Sequence, residues 1–128
     1  MDYIRGKNAN ADILYINKEL FEFDSLRDYT DLMYYIQKHR EGKTGKCYLF
    51  IDEVQDIMSF EKALRGLLAD GGYDIYCTGS NARMLSGELA TFLSGRYVEF
   101  RIWGLNYSEF MQFHQLEDSD ETFSRYYK

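Results

Sequence analysis

At 128 residues the chain has room for one domain or most of one, and a content of 45% hydrophobic and 17% aromatic residues is enough to build a core, which excludes disorder for its bulk. Lys and Arg total 15 against 21 Asp and Glu, a formal charge of -6 that argues against a basic nucleic-acid-binding surface. No apolar run approaches the roughly 20 residues that span a bilayer, no secretory pattern opens the chain, and Cys47 and Cys77 sit singly in apolar runs. Buried free thiols in a reducing, cytoplasmic setting are therefore expected.

Residues 1–7 read as the last turn or two of a helix, and residues 12–17 (DILYIN) as a short apolar strand. Ser25 offers an N-cap with Asp28 as a capping-box partner, and Leu26, Tyr29, Met33 and Ile36 follow at helical spacing, which predicts a helix to about Arg40. Residues 41–46 form a polar turn. Residues 47–52 (CYLFID) are the strongest strand, apolar on both faces as in the centre of a helix-covered parallel sheet. Ser59 starts a second helix whose stripe is Phe60, Ala63, Leu64, Leu67 and Leu68, stopped by Gly71 and Gly72. Residues 73–78 (YDIYCT) are another buried strand. Residues 81–96 read as loop with a short helix around 88–93, residues 97–102 as a strand with Val98, Phe100 and Ile102 on one side. Asn106 and Glu109 make a capping box for a helix carrying Phe110 and Phe113. Twelve Tyr and nine Phe lie mostly on such apolar faces, so packing explains them better than base stacking. Strands alternating with helices predict an α/β fold with a parallel sheet and helices on its faces.

The stretch that carries chemistry is Tyr48-Leu49-Phe50-Ile51-Asp52-Glu53-Val54-Gln55, an apolar strand running into two adjacent acids. Ligands of open α/β sheets bind at that C-terminal end. A carboxylate there can hold magnesium against nucleotide phosphates, and a second acid on the other side of the pleat can take a proton from attacking water. One crossover later a second strand ends in Cys77-Thr78-Gly79-Ser80-Asn81, where small polar residues could sense a γ-phosphate. TGSN alone is only turn chemistry; its spacing from the acids gives it weight.

LFIDEVQ resembles a Walker B motif, and CTGSNARMLSGELATFLSGRYVEF followed by YSEF resembles a family of bacterial and archaeal AAA-superfamily ATP-binding proteins, which typically continue into a C-terminal nuclease-like domain. The resemblance covers nearly the whole chain and implies that residues 1–128 form a partial P-loop NTPase core acting as an ATPase, a hydrolase using ATP and Mg2+. It implies Asp52 as the magnesium-side acid, Glu53 as the catalytic base, and Ser80 or Asn81 as the sensor. Arg96 matches a position where the family usually carries arginine, and could stabilise phosphoryl-transfer charge or simply pair with surface acids. The family usually has a proline after the leucine that precedes YSEF, whereas this chain reads Trp103-Gly104-Leu105.

A phosphate-binding loop, Gly-x-x-x-x-Gly-Lys-Ser/Thr, does not occur. Gly42-Lys43-Thr44 supplies its last letters, but Gln37 stands at the first glycine position and the surroundings read as helix, turn and strand. The resemblance places this loop and its strand upstream, so the expectation is an N-terminally truncated piece that is inactive alone. It also places that strand between residues 97–102 and 73–78, so the last strand is expected to close on its neighbour, move elsewhere or pair with a second chain in a non-native oligomer. Competing readings are a superfamily-1 helicase-type motor, from Asp52-Glu53-Val54-Gln55-Asp56, and a non-catalytic interaction module on a nucleotide-binding scaffold. A metal nuclease using Asp52 with Glu99 and Arg101 is more distant.

Overall fold

Strict alternation of buried and half-exposed residues along Cys47–Asp52 sets the architecture: Cys47, Leu49 and Ile51 are buried, Tyr48, Phe50 and Asp52 are not. The structure, a computed structural model, describes residues 2–9, 11–80, 93 and 95–127. They fall into two compact units, one ending at Tyr97 and one beginning at Val98.

In the first unit, β1 (Asp12–Asn17), β2 (Cys47–Asp52) and β3 (Tyr73–Cys77) form a parallel sheet in the order β1-β2-β3. Asp12 pairs in register with Cys47 and Asn17 with Asp52, while Cys47 also faces Tyr73 and Ile51 faces Cys77. Helix α1 (Asp2–Lys7) precedes β1, α2 (Tyr29–Arg40) joins β1 to β2, and α3 (Phe60–Asp70) joins β2 to β3. Crossovers of one hand between strands laid down in one direction put both helices on the same face. There Leu32 and Ile36 of α2 and Phe60, Ala63, Leu64 and Leu67 of α3 meet Leu14, Ile16, Leu49 and Ile51. On the open face Tyr15 and Tyr76 are exposed and Phe50 stacks on Tyr76 with ring centroids 4.7 Å apart.

The predicted α3 stripe and stop are as read. Ser59 sits at the N-cap, and Gly71 adopts φ 74°, its N–H bonding Leu67 O at 3.2 Å, a left-handed cap that glycine reaches without a Cβ clash. Helix α2 starts later than predicted. Its N-cap is Asp28, which accepts from the N–H groups of Thr30 and Asp31, rather than Ser25. Tyr29 N–H bonds Met58 O at 2.9 Å and Met58 N–H bonds Arg27 O at 2.8 Å, so the chain around residue 28 is held extended and Leu26 enters the core from a loop.

At the end of the sheet away from Asp52, Asp12 gathers the side chains of Arg40, Lys43 and His39. Its Oδ2 accepts from Arg40 Nη1 at 2.6 Å, and its Oδ1 lies 3.0 Å from Lys43 Nζ and 2.9 Å from His39 Nε2. Arg40 Nη2 also donates to Gly45 O at 2.6 Å. Gly42-Lys43-Thr44 is therefore a turn stapled to β1, as its context predicted, with Gly42 at φ 73°.

Residues 97–102 do not form the predicted strand. No strand pairs with them among the described residues, and Val98, Phe100 and Ile102 are 77%, 83% and 94% exposed. Alternation makes a strand only when a neighbour takes up its N–H and C=O groups. The predicted short helix around 88–93 lies outside the described residues except for Leu93, which is helical and buried.

The second unit contains α4 (Tyr107–His114) and a helix the sequence reading left out, α5 (Asp120–Tyr126). The Asn106–Glu109 capping box forms with both bonds, Glu109 N to Asn106 Oδ1 at 3.0 Å and Asn106 N to Glu109 Oε2 at 2.9 Å. Tyr107 meets Phe123 edge-on at 5.2 Å, and Phe110 meets Tyr126 at 5.5 Å. Ser119 caps α5 by accepting from Thr122 N.

Candidate functional site

Parallel pairing of β2 and β3 brings the two chemistry-bearing segments together at the C-terminal edge of the sheet. Thr78 N–H bonds Ile51 O at 2.9 Å and Val54 N–H bonds Thr78 O at 3.1 Å, so β3 is tied to both sides of Asp52 and Glu53 by main chain. Thr78 Oγ1 then donates to Asp52 Oδ1. On the other oxygen, Tyr15 OH lies 3.4 Å from Asp52 Oδ2, reaching across from β1. Tyr15, Phe50 and Tyr76 wall a shallow hollow on the open face that borders Asp52 and Thr78.

Glu53 does not continue the pleat as the sequence predicted. β2 ends at Asp52, and Glu53 takes left-handed dihedrals of φ 52° and ψ 51° before a 3-10 turn at Val54–Asp56. A residue with a Cβ resists this region, and such backbone costs about 1–3 kcal/mol wherever it is held. The turn aims the Glu53 carboxylate toward β3, where Ser80 Oγ donates to Oε2 at 3.1 Å and Gln55 Nε2 donates to the same oxygen. Oε1 has no such donor among the described residues. Gln55 Oε1, the other end of that amide, is buried with no partner among them.

The predicted residues thus divide. Asp52, Glu53 and Ser80 come together. Asn81 lies outside the described residues. Arg96 is exposed, its backbone N–H bonding Leu93 O at 3.0 Å, and among the described residues it forms no ion pair with either acid. Thr78, Tyr15 and Gln55 were missed as site residues. Thr78 stood within the TGSN run and Gln55 within LFIDEVQ; Tyr15 carried no signal except its place on a neighbouring strand.

Among the described residues no Lys, Arg or His forms an ion pair with Asp52 or Glu53. Two adjacent carboxylates without a countercharge favour a cation, and both are hard oxygen donors of the type magnesium selects. No group of three or more His, Cys, Asp or Glu side chains gathers to hold a metal among the described residues.

The sequence profile of a family described as an AAA domain matches residues 1–111. The chain belongs to the AAA domain family. Its three-stranded parallel sheet with flanking helices is consistent with a partial P-loop NTPase core. An uncharacterized protein of Haemophilus influenzae is 39% identical over 99% of this chain and 33% of its own length. An uncharacterized protein of Methanocaldococcus jannaschii is 33% identical over 86% of this chain and 24% of its own length. The AAA domain chain thus spans about a third or less of these curated relatives. No solved structure matches it. No helix is long and apolar enough to cross a membrane among the described residues.

Proposed function

We propose that this AAA domain chain contributes the acidic half of an ATP-hydrolysing site, with Asp52 as the magnesium-side acid, Glu53 as the general base and Ser80 as the γ-phosphate sensor. The observation that carries the reading is the joining of the two segments: Asp52 and Glu53 stand at the end of β2, and Thr78 and Ser80 from the end of β3 hydrogen-bond to them. Membership of the AAA domain family supports nucleotide and magnesium as the ligands.

When bound, ATP supplies the phosphoryl group to be cleaved and magnesium the charge that draws electrons from it. Asp52 offers oxygens already oriented by Thr78 and Tyr15, so little side-chain freedom is lost on engaging a cation. Glu53 has Oε2 fixed by Ser80 and Gln55, which leaves Oε1 to accept a proton from water. Ser80 touches the base directly, so a phosphate contact by its hydroxyl would be felt at Glu53. Asn81 and Arg96 stand as further candidates for phosphate contact, the latter within the chain or across to a neighbour.

The phosphate cradle is not among these 128 residues, so the chain alone should release no phosphate from ATP. In the full-length protein Glu53→Gln should keep magnesium-ATP binding and lower turnover about 10²–10⁴-fold. Asp52→Asn should weaken magnesium-dependent binding instead. Phosphate release and nucleotide binding, measured side by side, check both. Turnover within about threefold of wild type in both variants would remove the assignment.

A further inference from the structure

One oxygen of Asp12 has two claimants. Lys43 Nζ lies 3.0 Å from Oδ1 and His39 Nε2 lies 2.9 Å from it, while Nζ and Nε2 are 2.8 Å from each other. The other oxygen, Oδ2, is occupied by Arg40 Nη1 at 2.6 Å, and Arg40 Nη2 goes on to Gly45 O. An ammonium has hydrogens to give and no lone pair to accept with. Its contact with Nε2 is a hydrogen bond only while Nε2 carries a lone pair, which puts the proton of a neutral ring on Nδ1. Lys43 then donates to the carboxylate and to the imidazole at once.

Protonating the ring reverses these roles. Both nitrogens of an imidazolium are donors, so Nε2–H can donate to Oδ1 at the distance it already has. Two positive donors 2.8 Å apart repel. His39 is fixed on α2 with its side chain 26% exposed, whereas Lys43 stands in the turn on a flexible four-carbon stem and is 42% exposed, so Lys43 is the one that moves. We propose that His39 and Lys43 exchange places on Asp12 with pH, Lys43 tethering the 41–46 turn when the imidazole is neutral and His39 displacing it when the ring is charged. The other titratable groups of the cluster keep their charge across the histidine range. Against the effect of burial, hydrogen bonds from Arg40, Lys43 and His39 hold Asp12 ionised, and the bond to Asp12 raises Arg40 further. Burial pushes the Cys47 thiol of β2 up to about 11 and raises Tyr73 of β3, whose ring lies 5.8 Å from the Arg40 guanidinium. Arg40 keeps both Asp12 and Gly45 O, and Lys43 N–H keeps Arg40 O at 3.0 Å. Acid thus releases an ammonium at this end of the sheet while the base of the turn stays in place.

The test is nitrogen-15 spectroscopy of the His39 ring and the Lys43 side chain in this 128-residue chain, between about pH 8 and about pH 5, on either side of the ordinary histidine value. The expected result at the upper pH is a ring protonated on Nδ1 alone, with the Lys43 signals stepping in parallel with the ring as pH falls. His39→Gln, which cannot gain a charge, should abolish that step. Lys43→Met should turn the neutral ring over to the Nε2–H tautomer at the upper pH, because Oδ1 then has a single claimant. An Nε2–H tautomer in the wild-type chain at the upper pH overturns the proposal. So do Lys43 signals that ignore the titration of the ring, a step that survives in His39→Gln, or a tautomer unchanged by Lys43→Met.

Discussion

Thr78 donates its hydroxyl hydrogen to Asp52 while its own N–H bonds Ile51 O at 2.9 Å, so one residue ties β3 to β2 through main chain and side chain at once. The acid at the strand end is oriented from the neighbouring strand before any ligand arrives.

Replacing Thr78 with Val keeps the shape and removes the donor. Asp52 is then left with Tyr15 OH at 3.4 Å. Urea unfolding should show a loss of about 1 kcal/mol. If Asp52 holds magnesium as proposed, magnesium-dependent ATP affinity of the full-length protein should fall about fivefold, the equivalent of that energy. An unchanged unfolding midpoint and unchanged affinity would mean the hydroxyl is idle.

The cation cluster at the other end of the sheet makes a pH prediction. Burial alone would raise the Asp12 carboxyl, but hydrogen bonds from Arg40, Lys43 and His39 outweigh it and hold the group well below the usual carboxylate range. A depressed folded-state value contributes stability that is complete above the unfolded value of about 3.9 and is lost as pH falls below it. Asp12→Asn should therefore cost about 2 kcal/mol at neutral pH and flatten the acid limb of the stability curve below about pH 4. Equilibrium unfolding at a series of pH values checks this. Parallel curves for the two proteins would contradict it.

Both cysteines are free. Burial, then the negative charge of Asp12, pushes the Cys47 thiol up to about 11, and burial pushes Cys77 up to about 12. Raised values mean the neutral thiols contribute stability that is complete below the unfolded value of about 8.5 and lost as pH rises through these folded values. Because the thiolate is the nucleophile, alkylation at pH 8 should be at least about 100-fold slower in the native chain than in urea. Comparable rates in the two states would show that the thiols are accessible and ionised.

Gln115 closes α4 at φ 55° and ψ 44°, the left-handed C-cap position. Gln115→Gly should remove the Cβ penalty there and stabilise this helix pair by about 0.5–1 kcal/mol. A rise in its thermal midpoint is the expected reading; a fall would show that the glutamine side chain contributes more than the backbone conformation costs.

Much of this arrangement was legible because local chemistry decided it. The run Cys47–Asp52 announced a central strand, the spacing of Phe60, Ala63, Leu64 and Leu67 a helix face, and the Asn106–Glu109 pair a helix start. Asp52, Glu53 and Ser80 could be placed together because one crossover separates their strands. The start of α2 was misread because Ser25 and Asp28 both have capping chemistry, and only the distant Met58 decides between them. The turn at Glu53 was hidden because nothing in an Asp-Glu pair announces a positive φ. Residues 97–102 were read as a strand from alternation, but alternation describes a face and says nothing of whether another strand is there to pair with.

The order β1-β2-β3, identical in space and in sequence, also bears on how the sheet forms. Each pairing closes across a single helix, with no strand waiting for a distant one to be inserted between neighbours. Loop-closure entropy is met in small, successive steps, which places this sheet among the faster-folding parallel arrangements. Emerging from the ribosome, β1, α2 and β2 can join before α3 exists, and β3 then extends an edge that is already formed. Asp52 is thus seated on a finished pair of strands, within reach of Tyr15, before the Thr78 that will donate to it has been made.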